Sequence, residues 1–194
     1  MMGSSQTSLL PFYSHSSAVI SKCSLYRYLL RRIWDDSLPP LVAGLLNPST
    51  ADAATDDATI TRIVERARRN GYGSIRVWNI YAYRATDPKD LRKASDPIGP
   101  ENYHWITSAL ADAATSNGIA FVGWGGHKIP NEHLAALRSI IERVGVTLMC
   151  LGMTRNGHPV HPLYISYDMQ FQPWSFDELA IDWAAECAEP CPKT

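Results

Sequence analysis

No stretch of this chain approaches the roughly 18 uninterrupted apolar residues of a membrane-spanning helix, so no membrane association is expected. The start, MMGSSQTSLLPFYSHSS, lacks the basic and then apolar regions of a signal peptide, and its Ser and Gly read as a frayed end. Cysteine is sparse: the four, at 23, 150, 187 and 191, form no C-x-x-C pair and no zinc or iron–sulfur spacing. Such usage fits a reduced, cytoplasmic protein, with Cys150 in an apolar run and read as core. A surplus of positive charge is missing too. Net charge is −1 and the pI near 6.6, which is not the footprint of a protein that holds long nucleic acid mainly by neutralising phosphates. The local clusters, Arg27, Arg31 and Arg32, then Arg62, Arg66, Arg68, Arg69 and Arg76, read as solvated faces. GWGGHK is not a phosphate loop, no G-x-G-x-x-G opens a helix, and Ser49 sits in no G-x-S-x-G elbow.

What is present is alternation. At 194 residues and 45% hydrophobic, the chain can bury one core. CSLYRYLLRRIW alternates like a strand and, with DDSLPP as the turn, is expected to hairpin onto LVAGLL at 41–46. Ile60, Ile63, Val64 and Ala67 recur at helical spacing, with Asp57 placed to cap the start and Asn70-Gly71 to end it. SIRVWNIYAY (74–83), IAFVGW (119–124) and VTLMCLG (146–152) read as strands. Between them, helices are marked by Ile106, Ala109, Leu110 and Ala113, and by Leu134, Leu137, Ile141 and Val144 before Gly145. SFDELAIDWAAECA opens with Ser175 and Glu178 at capping-box spacing and predicts a last helix. The expected fold is α/β: a three-layer α/β/α sandwich around a mostly parallel four-stranded sheet with an added N-terminal antiparallel strand. One domain over 21–186 is expected, with a flexible start at 1–20 and a tail at 187–194.

In such sheets, ligands bind outside the carboxyl ends of the strands. The loops leaving that edge are long and polar: NPSTADAATDD, YRATDPKDLRKASDPIGP, GGHKIPN and GMTRNGHPVHPLY. Those at the opposite edge, NGYG, SNG and a single Gly, are minimal, which points to a site at the first edge. Asn47, held extended by Pro48, suits the placing of a water beside an oxocarbenium-like sugar, since a neutral amide orients water without ionising it. His161 from the last loop would stabilise an anionic departing base. A second chemistry stays open: His158 and His161 form H-x-x-H, and with Asp52, Asp56 and Asp57 they are candidate metal ligands.

Taken together, YRYLLRRIW, LNPSTADAATDDATI, NGYGSIRVWNIYAYRATDPKDLRKASDPIGPEN, WG and GHPVHPLYI…PW resemble the bacterial and phage domain-of-unknown-function family 1643 over roughly residues 23–174. That family's usual DDPTI is DDATI here, with Ala58 at a position where many residues are tolerated. More distantly, the chain is similar to the uracil-DNA glycosylase superfamily. Gly44-Leu45-Leu46-Asn47-Pro48 resembles its water-positioning motif, with one extra residue between Gly and Asn. VWNIYAYRATDP resembles its second-strand segment and His161-Pro162 its late His-Pro motif, where Leu163 replaces the common Ser.

The resemblance implies a uracil-DNA-glycosylase-like fold and an Asn79 that reads a base edge. Nucleobase pockets need a stacking ring, which Tyr81 or Tyr83 would supply, and Arg84 suits a phosphate. The substrate-binding set expected beside the catalytic pair Asn47 and His161 is Pro48, Ser49, Thr50, Asp52, Asp57, Asn79, Tyr81, Arg84, Trp124, Gly125 and His158. The expected ligand is a nucleobase, nucleotide or DNA, with no cofactor. Three readings remain: an N-glycosidic bond hydrolase, a metal-dependent hydrolase, and a non-catalytic nucleotide- or DNA-binding module.

Overall fold

Residues 13–49 and 51–180 are described by the computed structural model. The expected start up to residue 12, the tail 187–194, most of the helix expected after Ser175, and Thr50 lie outside the described residues. Strand β3 (Pro40–Leu45) is buried along its whole length, as a strand covered on both faces must be. Its odd-numbered side chains Leu41, Ala43 and Leu45 join one apolar cluster with α1 (Ala58–Arg69), while Val42 joins the other with α2 (Asn102–Thr115) and α3 (Asn131–Val144). One sheet therefore has helices on both faces.

The helices form where their stripes lie. Asp57 Oδ1 accepts the Ile60 N–H at 2.9 Å, capping α1 at its start, and Asn70 closes it. That cap contributes ~1 kcal/mol, whereas fully burying Ile60, Ile63 and Val64 contributes about 1.5–3 kcal/mol each. Packing, rather than the cap, holds α1 in place. Gly145, at φ +74°, ends α3 in the left-handed conformation that stops a helix cheaply only with glycine.

The other strands are β1 (His15–Ile20), β2 (Arg27–Ile33), β4 (Ser74–Asn79), β5 (Ile119–Val122), β6 (Leu148–Cys150) and β7 (Gln172–Trp174). Among the described residues they make one mixed seven-stranded sheet in the order β1-β2-β4-β3-β5-β6-β7. The central four, β4-β3-β5-β6, are parallel, as expected. The sheet is larger than the sequence suggests, because β1 and β7 add antiparallel edges. The partner of β2 also differs from expectation. It pairs antiparallel with β4, Leu30 opposite Val77, and not with β3. Both edges of β3 are already taken, by β4 on one side and β5 on the other, which leaves no room for a hairpin.

The solvated-face reading fails for three arginines. Arg27, Arg32 and Arg66 are 2%, 0% and 1% exposed. Arg32 Nε and a terminal nitrogen both contact Asp56 Oδ1, at 2.8 and 2.7 Å, and Arg66 reaches the carbonyls of Ile165, Ser166, Tyr167 and Met169. Cys150 is buried, as the apolar run around it implies. No helix among the described residues is long and apolar enough to cross a membrane.

Strand order also locates a site. From β3 the chain passes through α1 to β4 on one side; from β4 it passes through α2, across β3, to β5 on the other. The connections diverge between β3 and β5, the switch point at which open α/β sheets leave a crevice.

Candidate functional site at the carboxyl ends of the central strands

A cavity of about 800 Å³ opens there, within the range of ligand pockets. All four long loops contribute. Asn47, Ser49 and Asp57 come from the first, Ala85 and Thr86 from the second, Gly125, Gly126 and His127 from the third, and Thr154, Val160, His161, Leu163 and Tyr164 from the last. Arg27 of β2 and Trp124 complete the wall.

Asn47 is fixed by its own amide. Its Nδ2 donates to the Ala85 carbonyl at 2.7 Å and to the Pro48 carbonyl at 3.1 Å, tying the first loop to the second. Both amide hydrogens are thus engaged, and Oδ1 has no partner among the described residues. What Asn47 offers the cavity is an acceptor. Pro48 is buried behind it, its carbonyl also accepting from Ala85 N.

His161 precedes a short 3-10 turn at Pro162–Tyr164, and its Nδ1 accepts from the Leu163 N–H at 3.4 Å. Burial pushes the His161 pKa down, with His127 adding to the fall and Asp57 opposing it. The ring is therefore neutral at pH 7, and with Nδ1 accepting, the proton sits on Nε2. A neutral N–H donor and the Asn47 acceptor line the same cavity.

Trp124 is held on three sides. Trp174 meets it edge-on with centroids 5.0 Å apart, Phe176 stacks at 6.4 Å, and its Nε1 donates to His158 Nδ1 at 3.3 Å. His158 thus supports the wall from behind and does not line the cavity. Gly125, at φ +76°, has a hydrogen where a Cβ would meet the Cβ of His161 at 3.7 Å. The turn past Trp124 therefore runs close against the last loop, where Gly125 N donates to the Pro159 carbonyl at 2.8 Å.

The remaining expected residues are dispersed. Asp52 closes a turn by accepting from Ala54 N and Thr55 N, which lowers its pKa, and lies off the cavity. Asn79 is 1% exposed behind Arg27, and Arg84 donates to the Ser24 carbonyl at 3.4 Å, away from the cavity. Tyr81 lines a neighbouring cavity of about 550 Å³ with Tyr103 and His133; the two cavities share Leu46 and His127. Of the expected set, Asn47, Ser49, Asp57, Trp124, Gly125 and His161 come together.

The metal reading finds little support in this geometry. Asp56 is paired with Arg32, Asp57 caps α1 and His158 accepts from Trp124. Among the described residues, no three His, Cys, Asp or Glu side chains gather as a metal site.

Arg27, like Thr86, His127 and Thr154, lines the cavity without a signal in the sequence. Its position on an alternating strand with Arg31 suggested solvent, and nothing local signals that its head lies at a cavity. Burial lowers its pKa to about 10, the charges of Arg84 and Arg32 adding to the fall and Asp57 and Asp52 opposing it.

No curated protein and no solved structure matches the chain. Residues 27–163 match the family described as "Protein of unknown function (DUF1643)", a span that takes in β2 through the His161-Pro162-Leu163 turn and hence most of the cavity. The chain belongs to that DUF1643 family.

Proposed function

We propose that the cavity between β3 and β5 binds a nucleobase with its sugar and hydrolyses the N-glycosidic bond between them, in DNA or in a nucleotide. In that reaction the C1′–N bond breaks with its electron pair leaving on the base, and a water oxygen bonds C1′. One water proton is lost to the base or to solvent. The reaction develops positive charge on the sugar and negative charge on the base. It therefore needs a placed water and a donor to the departing base more than a strong general base. Asn47 Oδ1 accepts from the water and orients it. His161 Nε2–H donates to the base as it gains charge. Asp57 adds a negative charge beside the sugar cation, and Trp124 supplies an aromatic wall.

The observation that carries this reading is that a fixed amide oxygen with no partner among the described residues and a neutral imidazole line one cavity of about 800 Å³. The likeness of GLLNP and His161-Pro162 to glycosylase motifs supports it. The test is release of free base, or formation of abasic sites, from a panel of modified-base oligonucleotides and nucleotides. Asn47→Ala should lower turnover on the order of 10²-fold while leaving binding intact. Wild-type activity retained in that variant rejects the role, and binding without any base release favours the non-catalytic module.

A further inference from the structure

The three buried arginines are not alike. Arg32 is matched by Asp56, and Arg66 by four backbone carbonyls. Arg27 donates to the Ala51 carbonyl at 2.6 Å and, at 3.4 Å, to Asn79 Oδ1. No ion pair joins it to a carboxylate among the described residues. It is also the one of the three that lines the cavity. Asn79 Nδ2, beside it, is buried and has no acceptor among the described residues. Arg27 Nε in the wall and Asn79 Nδ2 behind it thus lack acceptors among the described residues, one of them on a desolvated cation, and buried charges are otherwise found paired. Asp57 acts on Arg27 from beyond ion-pair distance, and its Oδ1 is engaged by the Ile60 N–H.

We infer that Arg27, backed by Asn79, makes this cavity a site for an anionic oxygen group, so that its ligand is a phosphate-bearing nucleoside and not a neutral base or nucleoside. A guanidinium presents parallel N–H donors that match phosphate oxygens, and in a water-poor wall that pairing is strong. The phosphate belongs to a free nucleotide or to a nucleic-acid phosphodiester; the recognition chemistry is shared. The inference rests on the nucleotide reading for the base and sugar, but the anion site stands on Arg27 alone.

Calorimetric titration of the wild-type protein tests it, with inorganic phosphate, nucleosides, their 5′-monophosphates and trinucleotides as probes. The monophosphate or the trinucleotide should bind at least about tenfold more tightly than the nucleoside, and inorganic phosphate should compete with it. Whichever of the two binds more tightly names the source of the phosphate. Arg27→Gln should erase the difference while nucleoside binding persists, and Arg27→Lys should restore part of it. Because Arg27 also holds the Ala51 carbonyl, a second variant guards against misfolding. Asp57→Asn keeps a capping side chain, removes a repelling charge and should tighten phosphate binding several-fold. Equal affinity of the wild type for nucleoside, monophosphate and trinucleotide overturns the inference, as does unchanged phosphate affinity in Asp57→Asn. Phosphate discrimination without base release leaves this inference standing and removes the hydrolytic one.

Discussion

Asn47 Nδ2 and the Ala85 carbonyl lie 2.7 Å apart, joining the loop after β3 to the loop after β4. That one bond decides which end of the amide meets the cavity. Asn47→Asp inverts the arrangement, setting carboxylate oxygens against the Ala85 and Pro48 carbonyls; Pro48's keeps the Ala85 N–H, while Ala85's is left without a donor among the described residues. Losing those partners should cost about 1–3 kcal/mol, read as a lowered denaturation midpoint, and base release should fall with it. A variant as stable and active as wild type would show that the amide orientation is immaterial.

Gly44 lies under the Trp78 indole, where a Cβ would come within 2.2 Å of the ring. Gly44→Ala therefore overpacks the centre of the sheet at a cost of ~1–3 kcal/mol, measurable by chemical denaturation. The role is packing: Gly44, although part of the motif-like GLLNP, does not line the cavity.

Asp56 is the carboxylate that matches Arg32, and Tyr13 donates to its other oxygen. Asp56→Asn leaves the Arg32 cation buried without its counter-charge, and breaking such a pair costs about 3–5 kcal/mol. Arg32 also holds the Asp52 and Thr55 carbonyls, so ligand affinity should weaken together with stability. Stability within experimental error of wild type would mean that the carbonyls alone suffice.

Acid should destabilise the protein through histidine. Burial pushes His133, His158 and His161 below the ordinary 6.5. An unfolded chain takes up protons near 6.5 while the folded chain resists them, so the unfolded state binds more protons in that window. Stability is full above 6.5 and falls as pH drops from there through the lower folded pKa values. Carboxylates such as Asp52, held below 3.8, contribute a further loss only at lower pH. Melting temperature followed across pH checks this; a curve level from neutrality to well below 6.5 would contradict it.

Local signals carried much of the fold. Asp57, Asn70 and Gly145 mark helix ends because capping is decided within a turn of chain, and the buried strands show as unbroken apolar runs. What needed tertiary information stayed hidden. β1 is HSSAVI and β7 is QPW, short edge strands whose composition reads as loop, and they exist because β2 and β6 offer free edges. Arg66 is buried by carbonyls about a hundred residues further along the chain, which no local pattern reveals. The candidate site divides in the same way. Asn47 and His161 were legible from the ends of predicted strands, because parallel strands send their following loops to one edge. Asn79, Arg84 and His158 were not separable from them, since strand periodicity does not say which polar side chain reaches an opening and which packs behind it. Arg27, from an antiparallel strand outside the parallel core, enters the cavity only because β2 docks beside β4.

The proposed reaction requires one cavity to hold the sugar–base unit between Asn47 and His161. Nuclear magnetic resonance titration with nucleoside 5′-monophosphates follows both directly, through the Asn47 side-chain amide and the His161 ring, with the Trp124 indole as a third reporter. All three signals should move together along one saturation curve, while Arg138 and Glu142 on the outer face of α3 stay still. Saturation with those three unmoved, or with shifts confined to another surface, would contradict that placement.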